Sequence, residues 1–184
     1  MKKIPILLFL VLFGPISFAE NNPPQLLLRL DDNGMNHSVT MAIKQVAQTG
    51  IPFSTSVMFT CPWYQEAVAV LQQFPNVSVG IHLVLNSEWK YYKWGPILGA
   101  NAVPSLVDSN GFFLASSDDF LNSHYKIDEV EKELTAQIER AMHTGLKIDY
   151  VDYHMLTAVS KEDLRKVVEK LAKKYQLGMS RYFG

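Results

Sequence analysis

Two adjacent aspartates, Asp31 and Asp32, close the mostly apolar stretch LLLRL at residues 26–30. Neighbouring carboxylates repel each other and are costly to desolvate, so a buried run that ends in them calls for a compensating cation. Further along, His82 stands in GIHLVL, and Asp152 and His154 stand together in VDYHM. Two imidazoles and a carboxylate suit a divalent transition metal and leave positions open for water and substrate. Such an ion would offset the repulsion between the aspartates, letting one coordinate while its neighbour stays free as a base. Each residue also has a plainer role. A histidine in an apolar strand is commonly a hydrogen-bonded core residue, and Asp-Asn-Gly is a good turn sequence. His37 and His143 fall at helix ends and His124 in an irregular segment, which places all three on the surface. Asp32, His82 and His154 stand apart because all three fall at the ends of strand-like segments, as convergent ligands do.

The elements that must position them alternate along the chain. QLLLRL (residues 25–30), FSTSVMF (53–59), VSVGIHLVL (77–85) and IDYVDYH (148–154) have the length of strands; the first is a continuous apolar run and the third is rich in Val and Ile. Residues 38–48, 64–74, 129–143 and about 160–175 carry apolar side chains at helical spacing. Asp128 and Glu131 have the spacing of a capping box at the start of the third helix. GMSRYFG at the end begins a further strand. Four β-then-α units and the start of a fifth predict parallel strands joined by right-handed crossovers, in an open sheet or a barrel. Both place ligand chemistry at the C-terminal strand ends. The segment 86–125 breaks the pattern with Trp89, Tyr91, Tyr92 and Trp94, and it is too long for a plain connection. Its aromatics suit either a sugar-stacking platform or a small satellite core.

The first nineteen residues have the order of a secretory signal: Lys2 and Lys3, an apolar run over 4–13, then Ser17 and Ala19 at small-residue cleavage positions. The expected mature chain, 20–184, is a single exported domain, periplasmic or extracellular. An apolar run this short does not span a bilayer, so no stable membrane insertion is expected after cleavage. Losing Lys2 and Lys3 takes the formal net charge from −1 to −3, which gives no electrostatic reason to bind nucleic acid. Cys61 is the one cysteine, so no intrachain disulfide is possible. It has no base partner nearby in sequence and is expected to be a packed thiol.

RLDDNGMNHSVTMAI, STSVMFTCPWYQEAV, VSVGIHLVLNSEW and VDYHM together resemble successive motifs of the YdjC-like carbohydrate deacetylases, the chitooligosaccharide deacetylase group. The resemblance runs in order through residues 26–184. It implies an α/β fold, a (β/α) barrel of the polysaccharide-deacetylase type, here truncated after about four and a half units. It implies a metal-dependent hydrolase that removes N-acetyl groups from amino sugars or chitooligosaccharide-like carbohydrates. On that resemblance Asp32, His82 and His154 hold a divalent metal, magnesium or zinc, and Asp31 is the general base. Trp89 and Trp94 would face the sugar. Tyr150 and Leu156 depart from the pattern, since many relatives carry histidine there. Two rival functions use the same residues: a secreted carbohydrate-binding protein with a degenerate barrel, and a metal-dependent hydrolase of another bond, such as an ester.

Overall fold

Strand-like and helix-like segments alternate in the fold as they do in the sequence. The computed structural model describes residues 26–180. The expected signal segment, residues 1–19, lies outside them. The strands β1 (Arg29–Asn33), β2 (Ser54–Val57), β3 (Ser78–Leu83), β4 (Tyr150–Tyr153) and β5 (Gly178–Met179) pair in sequence order, each parallel to its neighbour. Helices α1 (His37–Gln48), α2 (Tyr64–Leu71) and α5 (Glu162–Tyr175) make single crossovers, while the crossing from β3 to β4 carries α3 (Ser117–Asn122) and α4 (Ile127–Met142). Among the described residues no pairing joins β5 back to β1, so the sheet described is an open one of five strands. No helix there is long and apolar enough to cross a membrane.

Alternation along the strands divides the sheet into two unlike faces. On one, Val57, Ile81 and Val151 pack with Leu134, Ile138, Leu164, Val168 and Leu171 of α4 and α5 to form the core. On the other, the register brings Arg29 beside Ser54 and Ser78, Ser56 beside Gly80 and Tyr150, and His82 beside Asp152. A Cβ on Gly80 would lie 2.3 Å from the Tyr150 ring, so only glycine lets that ring lie across β3. The tyrosine hydroxyl then meets Ser56 Oγ at 3.1 Å. The polar face leads along the sheet into the cluster of aspartates and histidines.

α4 does more than cover the core. Glu129, Glu133 and Gln137 recur every four residues on it and are buried, with Arg140 following on the same side. Glu129 accepts from the Ser105 amide (2.8 Å), Glu133 from the amides of Ile97 (3.0 Å) and Leu98 (3.2 Å). Gln137 pairs with both the N–H (2.9 Å) and the C=O (2.8 Å) of Val84, and Arg140 donates to the Phe59 carbonyl at 2.9 Å. The helix thus satisfies loop backbone groups that would otherwise be buried without partners. Asp128 does not cap it: Lys126 is the N-cap with no side-chain hydrogen bond, and Asp128 pairs instead with Lys132 at 3.0 Å. The capping-box expectation fails because the helix begins at Ile127, which puts Asp128 inside the first turn.

The segment between β3 and α4 has a small core of its own. Leu106, Phe113 and Phe120 are fully buried, and Asp108 folds the SNG turn by accepting from the amides of Asn110 (2.8 Å) and Phe112 (3.1 Å).

Candidate metal centre

β1 is where the sequence reading needs most correction. The strand does not stop at Leu30 but runs through both aspartates to Asn33. Leu30 lies opposite Thr55 and Asn33 opposite Val57, so β1 has one residue more than β2 over this span. That is a β-bulge, which re-aims a side chain. Asp32 takes up the irregularity with φ at 60°, a left-handed conformation that costs a non-glycine residue about 1–2 kcal/mol. Neighbouring carboxylates on a regular strand would point to opposite faces. Here Asp31 stays near the polar face beside Arg29, with Nε 2.9 Å from Oδ1, while Asp32 turns to the histidines. Gly34, at φ +80°, closes the turn against Tyr64, whose Cα a Cβ would approach to 2.9 Å. Asn36 then caps α1 by accepting from the Val39 amide at 3.0 Å.

His82 lies near the end of β3 and His154 directly follows β4, at the head of a turn in which Met155 (φ 51°) and Leu156 (φ 59°) are also left-handed. Asp32 Oδ1 stands 3.3 Å from His82 Nε2 and 3.2 Å from His154 Nδ1. One ligating atom of each residue lies within 4.8 Å of the other two. Two ligands about 2.0–2.1 Å from a shared tetrahedral ion sit about 3.3–3.4 Å apart, so the spacing and the mixed imidazole and carboxylate donors fit a divalent metal. Asp31, His82 and Asp152 form a second set of the same size. That set already has a cation, because Arg29 Nε lies 2.9 Å from Asp31 Oδ1 and 3.3 Å from Asp152 Oδ2.

Around the ligands stand groups that sequence reasoning left without a role. Asp152 accepts from Ser56 Oγ at 3.0 Å and from Ser180, and its Oδ2 lies 3.2 Å from His82 Nδ1, a nitrogen with no aligned hydrogen-bond partner. Glu88, on the loop after β3, lies 2.9 Å from His154 Nε2. The charges reinforce one another. Burial would raise the Asp32 carboxyl, but His154 and His82 outweigh it and hold Asp32 well below the usual carboxylate range. Burial likewise favours protonated Asp152, yet His82 and Ser180 hold it low. Burial would lower both imidazoles. Asp152 and Asp32 outweigh it at His82, which is raised, and Asp32 and Glu88 hold His154 at about 9. Without metal, protons on the imidazoles compensate the carboxylates, and an entering ion must displace them.

The structure brings Asp32, His82 and His154 together and leaves Asp31 beside them, partly exposed. The tryptophans divide. Trp89 is 47% exposed and free to meet a ligand. Trp94 is 2% exposed, its indole N–H donates to the Asn86 carbonyl at 2.8 Å, and its ring meets that of His154 edge-on at 5.8 Å. Its expected place as an open sugar-binding face is therefore corrected: it is a buried wall behind His154. Cys61 is buried, and desolvation pushes its thiol up to about 12, as suits a packed side chain.

Comparison with known proteins shows the family to which the chain belongs. The chain is 32% identical over 154 residues to a carbohydrate deacetylase of Enterococcus faecalis, covering 83% of this chain and 56% of that protein. It is 36% identical over 152 residues to a carbohydrate deacetylase of Oceanobacillus iheyensis, covering 82% and 61%. It thus spans less than two thirds of the length of the curated relatives it matches. A crystal structure from Enterococcus faecalis V583, described as that of a cellobiose-phosphate cleavage protein, superposes with a TM-score of 0.75 at 31% identity, covering 85% of this chain and 59% of that one. The family model for YdjC-like protein matches residues 25–183, and the chain belongs to that family.

Proposed function

We propose that the protein is an exported, metal-dependent deacetylase that hydrolyses the acetamide of an N-acetylated amino sugar or chitooligosaccharide-like carbohydrate. The observation that carries the proposal is the convergence of Asp32, His82 and His154 on one point, with the carboxylate of Asp31 beside them. The two named relatives, both carbohydrate deacetylases, support the substrate class. The lysine-flanked apolar segment at the N-terminus supports export. All-parallel pairing in sequence order supports a place for this sheet within a (β/α) barrel.

Asp32, His82 and His154 would hold the ion, and two imidazoles in the set favour zinc over magnesium, which prefers oxygen ligands. When bound, the ion polarises a carbonyl and lowers the pKa of water. Asp31 accepts the proton of the attacking water; it is next to a ligand in sequence but held by Arg29, so its carboxylate remains available. Trp89 offers an apolar ring to the sugar. The bulge brings to one site two residues that a regular strand would have kept on opposite faces. The test is acetate release from N-acetylglucosamine oligomers with added zinc or magnesium. Release should need metal, and Asp31→Asn should lower the rate by about 10²–10⁴ while metal content stays unchanged. Acetate release that persists in chelator would refute the proposal.

A further inference from the structure

Each imidazole of the centre has a carboxylate behind it from a different element, but only that of His154 is an aligned hydrogen bond. His82 turns Nε2 towards Asp32 and has Asp152 Oδ2 at 3.2 Å from its other nitrogen. His154 turns Nδ1 towards Asp32 and has Glu88 Oε2 at 2.9 Å from its other nitrogen. Asp152 is buried within β4 and fixed by Ser56, Ser180 and Arg29. Glu88 sits on a loop, and its side chain is 30% exposed. It is nevertheless held. Asn86 Nδ2 donates to Glu88 Oε2 at 3.2 Å, and Asn86 Oδ1 accepts from Thr157 Oγ1 at 2.8 Å, three residues beyond His154. The loop carrying Glu88 and the turn carrying His154 are thus joined at two points.

We infer that Glu88 is a positioning residue: it fixes the tautomer and orientation of His154, and through them the metal affinity of the centre. The inference rests on the assignment of Asp32, His82 and His154 as ligands. An imidazole offers a lone pair from one nitrogen only when the proton resides on the other. A carboxylate facing Nε2 holds the proton there, keeps Nδ1 free to coordinate and makes it more basic. Without Glu88, neutral His154 can carry its proton on Nδ1, which then cannot bind metal. The Trp94 ring against His154 limits the ring's other motions. Glu88 therefore governs the tautomer, and the tryptophan governs the ring's position.

The experiment strips the full-length protein with chelator and titrates it with Co²⁺, whose visible absorption reports the coordinating atoms. Glu88→Gln should weaken Co²⁺ binding by about 10- to 100-fold and shift the absorption band. Glu88→Asp, which keeps the charge on a shorter arm, should recover part of the affinity and the band. A role limited to stabilising the loop would leave the affinity and spectrum of the folded protein unchanged in both variants, and that result would overturn the inference. Wild-type protein that takes up no Co²⁺, or takes it up undiminished in His82→Ala, would overturn the ligand assignment and this inference with it.

Discussion

In the metal-free centre a proton does the work of a cation, and pH should expose it. His154 is held at about 9, against an ordinary value of 6.5, although burial alone would lower it. Raised in the folded state, its protonation contributes stability that is fully present below pH 6.5 and is lost as pH rises through about 9. The difference corresponds to about 3 kcal/mol at most. Metal binding runs the other way, because the ion must displace that proton. At pH 7 the competition at His154 alone weakens binding by about two orders of magnitude, and affinity should climb at least about tenfold per pH unit as pH rises towards about 9. The assay is a titration of chelator-stripped protein in zinc-buffered solutions from pH 6 to 9, with a melting curve at each pH. Metal-free protein should melt lower as pH rises, and the gain on adding zinc should widen. Zinc affinity that is flat over this range would refute the arrangement of His154 between Asp32 and Glu88.

Two further perturbations separate packing from chemistry. Gln137→Leu removes the amide that pairs with both backbone groups of Val84 and should cost about 2–5 kcal/mol in urea unfolding, since each orphaned buried group costs about 1–3 kcal/mol; an unchanged midpoint would show that the loop finds other partners. Trp94→Ala should destabilise the fold by about 3–5 kcal/mol, whereas Trp89→Ala should leave stability within about 0.5 kcal/mol and raise KM for the sugar about twofold to tenfold. A KM unchanged in Trp89→Ala would remove that residue from the sugar site.

The alternation of elements was legible because strand-length runs and helical spacings are distinct signals, and four of the five strands fall on the segments expected. The placement of His82 and His154 followed from the same signal. Other features left none. The apolar pattern of β1 ends at Leu30, so nothing local marks Asp31 and Asp32 as part of the strand or reveals the bulge that brings them to one side. The stripe of Glu129, Glu133 and Gln137 has the spacing of a solvent-facing helix surface; its burial depends on loops far away in sequence. Trp89 and Trp94 look alike in sequence, and only the fold of the segment around them buries one. Glu88 lies six residues past His82, yet its partner is His154, so their link is a property of the tertiary structure.

The most direct test of the centre is a crystal structure of the zinc-loaded protein with anomalous data collected at the zinc edge. One peak should lie between Asp32 Oδ1, His82 Nε2 and His154 Nδ1, about 2.0–2.2 Å from each, with Asp31 outside the coordination sphere. A peak bound by Asp31 and Asp152 in place of Arg29, or no peak at these histidines, would contradict the assignment.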